Sequence, residues 1–225
     1  MGRYVESLPT PLQVIALALI DWWDDWINML IINLLWWLCW LTIILGPPAT
    51  FGLYYVTNQL AYGKSVGVKG FISGTRQSFL KSWQWMLVNL AVAVIITVNI
   101  FFYQEQSANW AQILRILFII LAVFWIVIQS YTVPYLMEQE DKSIRIAYRN
   151  ALFTILAAPG FTLVITVVAG VIVVLSVRLI APLFLGIPCL LACIGNRAIA
   201  ERIETYGLRP RENEDNTHYK EEMEE

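Results

Sequence analysis

Long stretches without any charged residue constrain this chain more than any other feature of its sequence. Segments 26–45 and 83–102 contain no Asp, Glu, Lys or Arg. Both have the length that a membrane-crossing helix needs, since about 20 apolar residues span the roughly 30 Å hydrocarbon core of a bilayer. Within that core every backbone amide must find its partner inside the protein, which a helix achieves locally. The sequence therefore predicts an all-α fold, a polytopic membrane helix bundle.

The overall composition agrees with this class of protein. Apolar residues make up 58% of the 225 residues and charged residues only 14%, and the mean hydropathy is +0.62. These values are typical of membrane proteins. Seven of the 17 acidic residues lie in segment 207–225, so the acidic balance belongs to the end of the chain. We expect a single helix bundle over residues 1–206 and a disordered, acidic, cytoplasmic tail over residues 207–225.

The segment Gly46-Pro47-Pro48-Ala49-Thr50 interrupts the apolar part of the chain. Two prolines after a glycine should end one helix and begin the next, because the first amides of a helix have no helical partner. The segment that follows, 49–62, is short for a crossing and rich in polar residues, so we expect protein to shield it. It forms either a short crossing helix or a re-entrant helix. Including the apolar segments at 110–137, 161–177 and 183–194, the first case gives six membrane helices, which we favour, and the second gives five.

Basic residues predict the orientation. Segment 63–82 contains four Lys or Arg residues and no acidic residue, and segments 138–150 and 195–211 are also rich in bases. Basic loops of membrane proteins lie in the cytoplasm, so we expect the C-terminus there. Apolar residues at helical spacing opposite the bases predict short amphipathic interfacial helices in 63–82 and 138–150. A proline at position 134 predicts a kink in the helix that contains it.

Polar and small residues inside the apolar segments are the candidate functional positions. Such groups are costly in hydrocarbon unless they have partners. Hydrogen bonding between helices is their default role, and the alternative is that they line a solute path at a broken helix. Arg178 should extend to the outer surface or pair with Glu105. The candidate positions are Asn33, Trp36, Gly46, Pro47, Pro48, Thr50, Thr57, Asn58 and Arg178.

The residue patterns of common enzymes and metal sites do not occur. The one histidine, His218, lies in the acidic tail, and Gly63-Lys64-Ser65 lacks the upstream glycine of a phosphate-binding loop. The carboxylates of segment 21–25 follow an apolar run and precede tryptophans, as expected for a solvated helix end. We therefore expect no enzymatic activity, no cofactor, no metal and no nucleic-acid partner. The three cysteines are interpreted as small apolar helix residues: Cys39, Cys189 and Cys193.

Several local motifs resemble the YesL family of small bacterial membrane proteins. They are Asn33-Leu34-Leu35-Trp36, then Gly46-Pro47-Pro48-Ala49-Thr50 with Leu53-Tyr54-Tyr55-Val56, a Gly-Lys loop, and Phe71 followed by Phe79-Leu80-Lys81-Ser82-Trp83. The resemblance extends over roughly residues 20 to 205. It implies a multi-pass protein of the bacterial plasma membrane without an established biochemical activity. Members are often encoded near carbohydrate ABC importers, which implies an accessory role in sugar uptake.

Two functions follow as hypotheses. The first is a non-enzymatic accessory or scaffold in the lipid bilayer that contacts an ABC permease or another membrane protein. The absence of a predicted buried charge pair or ion-ligand cluster favours it. The second is a small-solute carrier whose site lies near the helix break at 46–50. A membrane-embedded enzyme is a third and more distant hypothesis.

Overall fold

The computed structural model describes residues 8–179 and 186–207. In these ranges the chain forms nine α-helices and no strand, which confirms the all-α prediction. The predicted tail beyond Gly207 and the first residues of the predicted apolar segment 183–194 lie outside the described residues. The helices are α1 Thr10–Asp24, α2 Trp26–Leu41, α3 Gly46–Ala61, α4 Gly67–Gln77, α5 Phe79–Gln104, α6 Asn109–Glu138, α7 Ile144–Ala157, α8 Pro159–Leu179 and α9 Ile187–Thr205.

Three helices in the described ranges, α5, α6 and α8, are long and apolar enough to cross a membrane. Within their most apolar windows only 0%, 11% and 22% of the residues are buried inside the protein, respectively. Apolar side chains that protein does not cover are stable only in contact with lipid or another apolar surface. These three helices agree with the predicted membrane class, and the count of six stays a prediction.

The first long apolar segment forms a shorter helix than predicted. Helix α2 has 16 residues and ends at Leu41, before the end of the uncharged segment. The Thr42 hydroxyl donates to the Cys39 carbonyl at 2.7 Å and accepts from the Leu45 amide at 3.2 Å. A threonine that bonds nearby backbone groups offers the chain an alternative to further helix. The turn at 42–45 is thereby fixed, and α2 is shorter than the crossing helix that the sequence predicts.

Helix α3 begins at Gly46, as the two prolines predict, and it is the centre of the described fold. Twelve of its 16 residues are buried, and α2, α4, α5, α6 and α9 pack around it. The expectation that protein shields this polar segment is confirmed.

Gly63 ends helix α3 in a left-handed conformation, with φ of +72°. The Gly63 amide donates to the Leu60 carbonyl at 2.9 Å, and the Lys64 amide donates to the Gln59 carbonyl at 3.0 Å. These two bonds define a Schellman cap, in which glycine adopts the left-handed residue at little cost. The Gly-Lys-Ser segment is thus a helix terminus in this fold.

Helix α4 runs antiparallel to α3 and lies very close to it. A methyl group added at Gly52 would approach the Phe71 carbonyl oxygen to 2.6 Å, and one at Gly74 would approach Tyr55 Cβ to 2.8 Å. Small residues at such contacts let two helix backbones come together. The apolar stripe predicted for an interfacial helix therefore packs in part on protein, with Phe71 buried.

Helices α5 and α6 form an antiparallel hairpin. Trp85 pairs with Gln129 near the bundle, and the rings of Tyr103 and Phe118 stack at 5.8 Å farther along. Pro134 lies inside α6, which continues through it to Glu138. The start of α5 lies beside the end of α6. The two helices therefore extend away from the bundle side by side, with these two ends next to each other.

Candidate functional site

The Gly46–Thr50 segment and the tryptophans of α2 form one contact cluster. Thr50 Oγ1 accepts from Trp36 Nε1 at 3.1 Å and from Trp40 Nε1 at 3.3 Å. It also donates to the Gly46 carbonyl at 3.0 Å. A methyl group at Gly46 would lie 2.7 Å from the Trp40 ring. The predicted candidates Trp36, Gly46 and Thr50 therefore meet, and they fill the space between α2 and α3 instead of lining an opening.

Farther along α3, Thr57 contacts the last described helix. Asn196 of α9 is buried and donates through Nδ2 to Thr57 Oγ1 at 2.8 Å and to the Tyr54 carbonyl at 3.0 Å. Gly195, the preceding residue, has Pro134 and the Ser130 carbonyl of α6 as close neighbours. This buried amide fixes the register of α3 and α9, because a shift would leave its Nδ2 group without acceptors.

Asn58 lies near the end of α3 and contacts the end of α6. Its Nδ2 donates to Glu138 Oε1 at 2.5 Å, and the Tyr62 hydroxyl donates to the same oxygen at 3.0 Å. Hydrogen bonds to an ionised carboxylate are stronger than those between neutral groups. This contact therefore joins the end of α3 to the end of α6.

A further set of hydrogen-bonded polar side chains lies between α5, α6 and α7. Asn89 Oδ1 accepts from Trp125 Nε1 at 3.1 Å, and Gln129 Oε1 accepts from Trp85 Nε1 at 2.9 Å. The Tyr148 hydroxyl of α7 lies within 3.3 Å of the Asn89 amide and 3.2 Å of the Gln129 amide. The polar residues of the two long apolar helices thus bond to each other and to α7, as the interhelical interpretation predicts.

Asp21 forms a charge pair that the sequence reasoning missed. Arg197 of α9 donates to its carboxylate twice, from Nε at 2.5 Å and from Nη2 at 2.8 Å. The side chains are only 23% and 13% exposed for Arg197 and Asp21. The interpretation of Asp21 as part of a solvated helix end was therefore wrong, and so was the expectation that no shielded charge pair exists. Two parallel bonds between a guanidinium and a carboxylate also fix geometry, so this pair ties α1 to α9.

The remaining predicted positions lie on three different helices. Asn33 is fully buried on α2, and Pro47 and Pro48 are buried in the first turn of α3. Arg178 is exposed in the last turn of α8. In the described ranges no ion pair joins Arg178 to Glu105.

A pocket of about 300 Å³ lies beside the start of α5 and the end of α6. Its charged lining consists of Lys81, Asp141 and Lys142. Lys142 Nζ donates to the Leu136 and Met137 carbonyls at 3.1 and 3.3 Å, at the C-terminus of α6. Burial lowers the pKa of Lys142 from its usual value, and the nearby Glu138 carboxylate opposes part of this decrease.

Sequence reasoning identified the polar residues of α2 and α3 but not their partners. Asn196 and Arg197 are adjacent and follow the last apolar segment, 183–194, and the sequence analysis uses Arg197 only as one of the bases of segment 195–211. A polar pair directly after a run of apolar residues is a usable signal, because such residues in a buried helix need partners. In the described ranges no group of three or more His, Cys, Asp or Glu residues could hold a metal ion.

Residues 29–100 match the model of a protein family described as a protein of unknown function, DUF624. The matched segment runs from α2 to near the end of α5. It includes the contact of Trp36 and Trp40 with Thr50 and the close approach of Gly52 to α4. The comparisons with curated proteins and with solved structures gave no match.

Proposed function

We propose that this chain is a non-enzymatic accessory protein of the bacterial plasma membrane, which contacts the permease of a carbohydrate ABC importer. The proposal also assigns the chain to the YesL family, on the motifs quoted above. The match to a family of unknown function over residues 29–100 is consistent with that assignment.

The observation that carries the proposal is the packing of the helix break. A carrier would need space beside Gly46 and Thr50, but the Trp40 ring occupies the volume next to Gly46 and both indoles bond Thr50. These polar groups are satisfied within the protein. By contrast, no residue is buried inside the protein in the most apolar stretch of 18 residues of α5. The surface available for a membrane partner is therefore larger than any space available for a solute at this position.

The orientation is part of the proposal. Basic segments at 63–82 and 138–150 support a cytoplasmic position for the start of α5 and the end of α6, and the C-terminus is expected on the same side. For α3, two contacts favour the re-entrant alternative over a full crossing. Trp83 Nε1 donates to the Ile44 carbonyl at 3.2 Å, and the rings of Phe51 and Trp85 lie 5.8 Å apart. The start of α3 is thereby adjacent to the start of α5.

The test is affinity purification of the tagged, full-length chain from its host in mild detergent, followed by mass spectrometry. An importer permease recovered in stoichiometric amount, and absent from a purification with an unrelated polytopic membrane protein, would support the proposal. Val98→Trp on the exposed side of α5 and Val171→Trp on α8 are matched surface variants, 60% and 52% exposed before substitution. Loss of the permease with only one of them would locate the contact.

Recovery of the chain alone would contradict the accessory role. Solute uptake would then be measured with Asn33→Ala, Thr50→Val and Thr50→Ser. A carrier that used the Thr50 hydroxyl would lose uptake with the valine and retain it with the serine.

A further inference from the structure

The pocket beside α5 and α6 lies at the level of the membrane surface. Lys81 is the third residue of α5, and Leu136 is two residues from the end of α6. Both helices are long and apolar enough to cross the bilayer, and they are antiparallel. Their adjoining ends therefore lie on one side of the membrane, where lipid phosphates lie.

The polar side of the pocket is suited to an anion. The polar residues that line it are two lysines, Lys81 and Lys142, one acidic residue, Asp141, and the neutral residues Gln77 and Ser78. Lys81 is exposed, whereas Lys142 is partly buried and is held by two carbonyl oxygens. An ammonium has three N–H donors, so one remains for a ligand. The lining thus carries two positive charges and one negative charge, and the Glu138 carboxylate, which accepts from Asn58 and Tyr62, lies near Lys142.

The other side of the pocket is apolar. Phe51 and Leu136 line it and are both buried, with 1% and 0% of their surfaces exposed. Ser78 lies between the C-terminus of α4 and the N-terminus of α5, and the Lys142 ammonium neutralises part of the negative dipole end at the C-terminus of α6. A basic pocket with an apolar wall between membrane helices is the usual setting for an anionic lipid headgroup.

We propose that this pocket binds a phosphate ester, supplied by the headgroup of an anionic phospholipid in the same leaflet. Lys81 and Lys142 hold the phosphate. Asp141 also lines the pocket and is exposed, and it weakens binding, since its carboxylate repels the same anion.

The experiment places the full-length protein in nanodiscs made of equal parts phosphatidylcholine and phosphatidylglycerol. Native mass spectrometry counts the phosphatidylglycerol molecules retained by the released protein. Lys81→Gln and the double variant Lys81→Gln/Lys142→Gln are compared with Lys64→Gln/Lys69→Gln. The control pair removes the same charge from exposed residues of the same basic segment that do not line this pocket.

The unchanged protein should retain one phosphatidylglycerol in preference to phosphatidylcholine. Each pocket lysine removed should lower its retention about fivefold, which corresponds to about 1 kcal/mol. Asp141→Asn should increase retention, and the control pair should leave it unchanged. Lys142→Gln also removes the contacts with the α6 carbonyls, whereas Lys81→Gln and Asp141→Asn leave those contacts intact. If the double variant does not fold, these two variants decide the result.

Equal losses in the pocket and control variants, or no preference for phosphatidylglycerol, would overturn the lipid assignment. A separate arm adds glycerol 3-phosphate to protein in phosphatidylcholine nanodiscs and measures its binding by calorimetry. Binding there that depends on Lys81, without preference for phosphatidylglycerol, would assign the pocket to a soluble phosphate ester. Failure of both arms would leave no phosphate site at this position.

Discussion

Ile43 has a backbone conformation that branched residues rarely adopt, with φ of +60°. It lies in the turn between α2 and α3, and its side chain is 70% exposed. A left-handed conformation costs an L-residue about 1–2 kcal/mol, and a branched residue at such a position is a true outlier. The short turn required by Thr42 and the prolines keeps the residue there.

Replacing Ile43 with glycine should relieve this strain. We expect Ile43→Gly to raise the free energy of unfolding by about 1 kcal/mol, because glycine adopts positive φ without a steric penalty. Thermal unfolding in detergent, followed by circular dichroism, measures the change.

The neighbouring Ile44 offers a matched control, since it is 61% exposed and has no positive φ. Ile44→Gly should be neutral or destabilising, because it only adds freedom to the unfolded chain. A stabilisation of equal size in both variants would show that the effect comes from removing an exposed apolar side chain.

At the scale of single helices, the close contact between α3 and α4 makes a strong prediction. A methyl group at Gly52 would lie 2.6 Å from a backbone carbonyl oxygen and would also overlap the Thr75 hydroxyl. Because backbone atoms cannot move aside, α4 must shift, and overpacking of this kind costs about 1–3 kcal/mol. Gly52→Ala should therefore lower the unfolding temperature in detergent.

Gly170→Ala is the control for this substitution. Gly170 is a helical residue of α8 with open space where a methyl group would be placed. Alanine has the higher helix propensity by up to about 1 kcal/mol, so the control should be neutral or stabilising. Similar destabilisation by both substitutions would contradict the packing of α4 on α3.

The pair of Asp21 and Arg197 predicts coupling between α1 and α9. Removing one partner leaves a shielded charge without its counterion, which costs about 3–5 kcal/mol when the pair is fully buried. Arg197 is 23% exposed, so solvent screening reduces this cost, and we expect about 2 kcal/mol from Asp21→Asn. The double variant Asp21→Leu/Arg197→Met should be closer to the unchanged protein than either of its single variants, Asp21→Leu and Arg197→Met. Additive losses in this thermodynamic cycle would show that the two residues are not coupled.

Sequence alone predicted the elements that depend on local composition. Helices α5, α6 and α8 follow from long apolar segments, and the start of α3 follows from Pro47 and Pro48. The contact of Asp21 with Arg197 joins residues 176 positions apart, and nothing near Asp21 in the sequence indicates it. Partner choice depends on how the helices pack, so the polar residues could be predicted as costly but not assigned to each other.

The length of α2 shows a second limit of such reasoning. The mean hydropathy of the residues around Thr42 is the same whether the chain turns there or continues as a helix. The turn depends on two hydrogen bonds of one hydroxyl and on a strained residue. Both features concern the backbone dihedral angles of single residues. A hydropathy average over a whole apolar segment contains no information about them.

For the whole molecule, the side of the membrane on which the turn at 42–45 lies can be measured directly. Single cysteines are placed at Ile44, Lys64 and Gln106, all exposed, in a chain whose native cysteines are replaced by alanine. A membrane-impermeant maleimide is then applied to intact and to permeabilised cells. Gln106→Cys should react in intact cells, because it lies in the turn between α5 and α6, and Lys64→Cys should react only after permeabilisation.

Ile44→Cys distinguishes the two arrangements of α3. The Ile44 carbonyl accepts from the Trp83 indole at the start of α5, which lies on the side opposite Gln106 if α5 crosses. We therefore expect Ile44→Cys to behave like Lys64→Cys and to react only in permeabilised cells. Reaction in intact cells would mean that α2 and α3 both cross. The six-helix arrangement would then hold, and the contact between Ile44 and Trp83 could not form in the membrane.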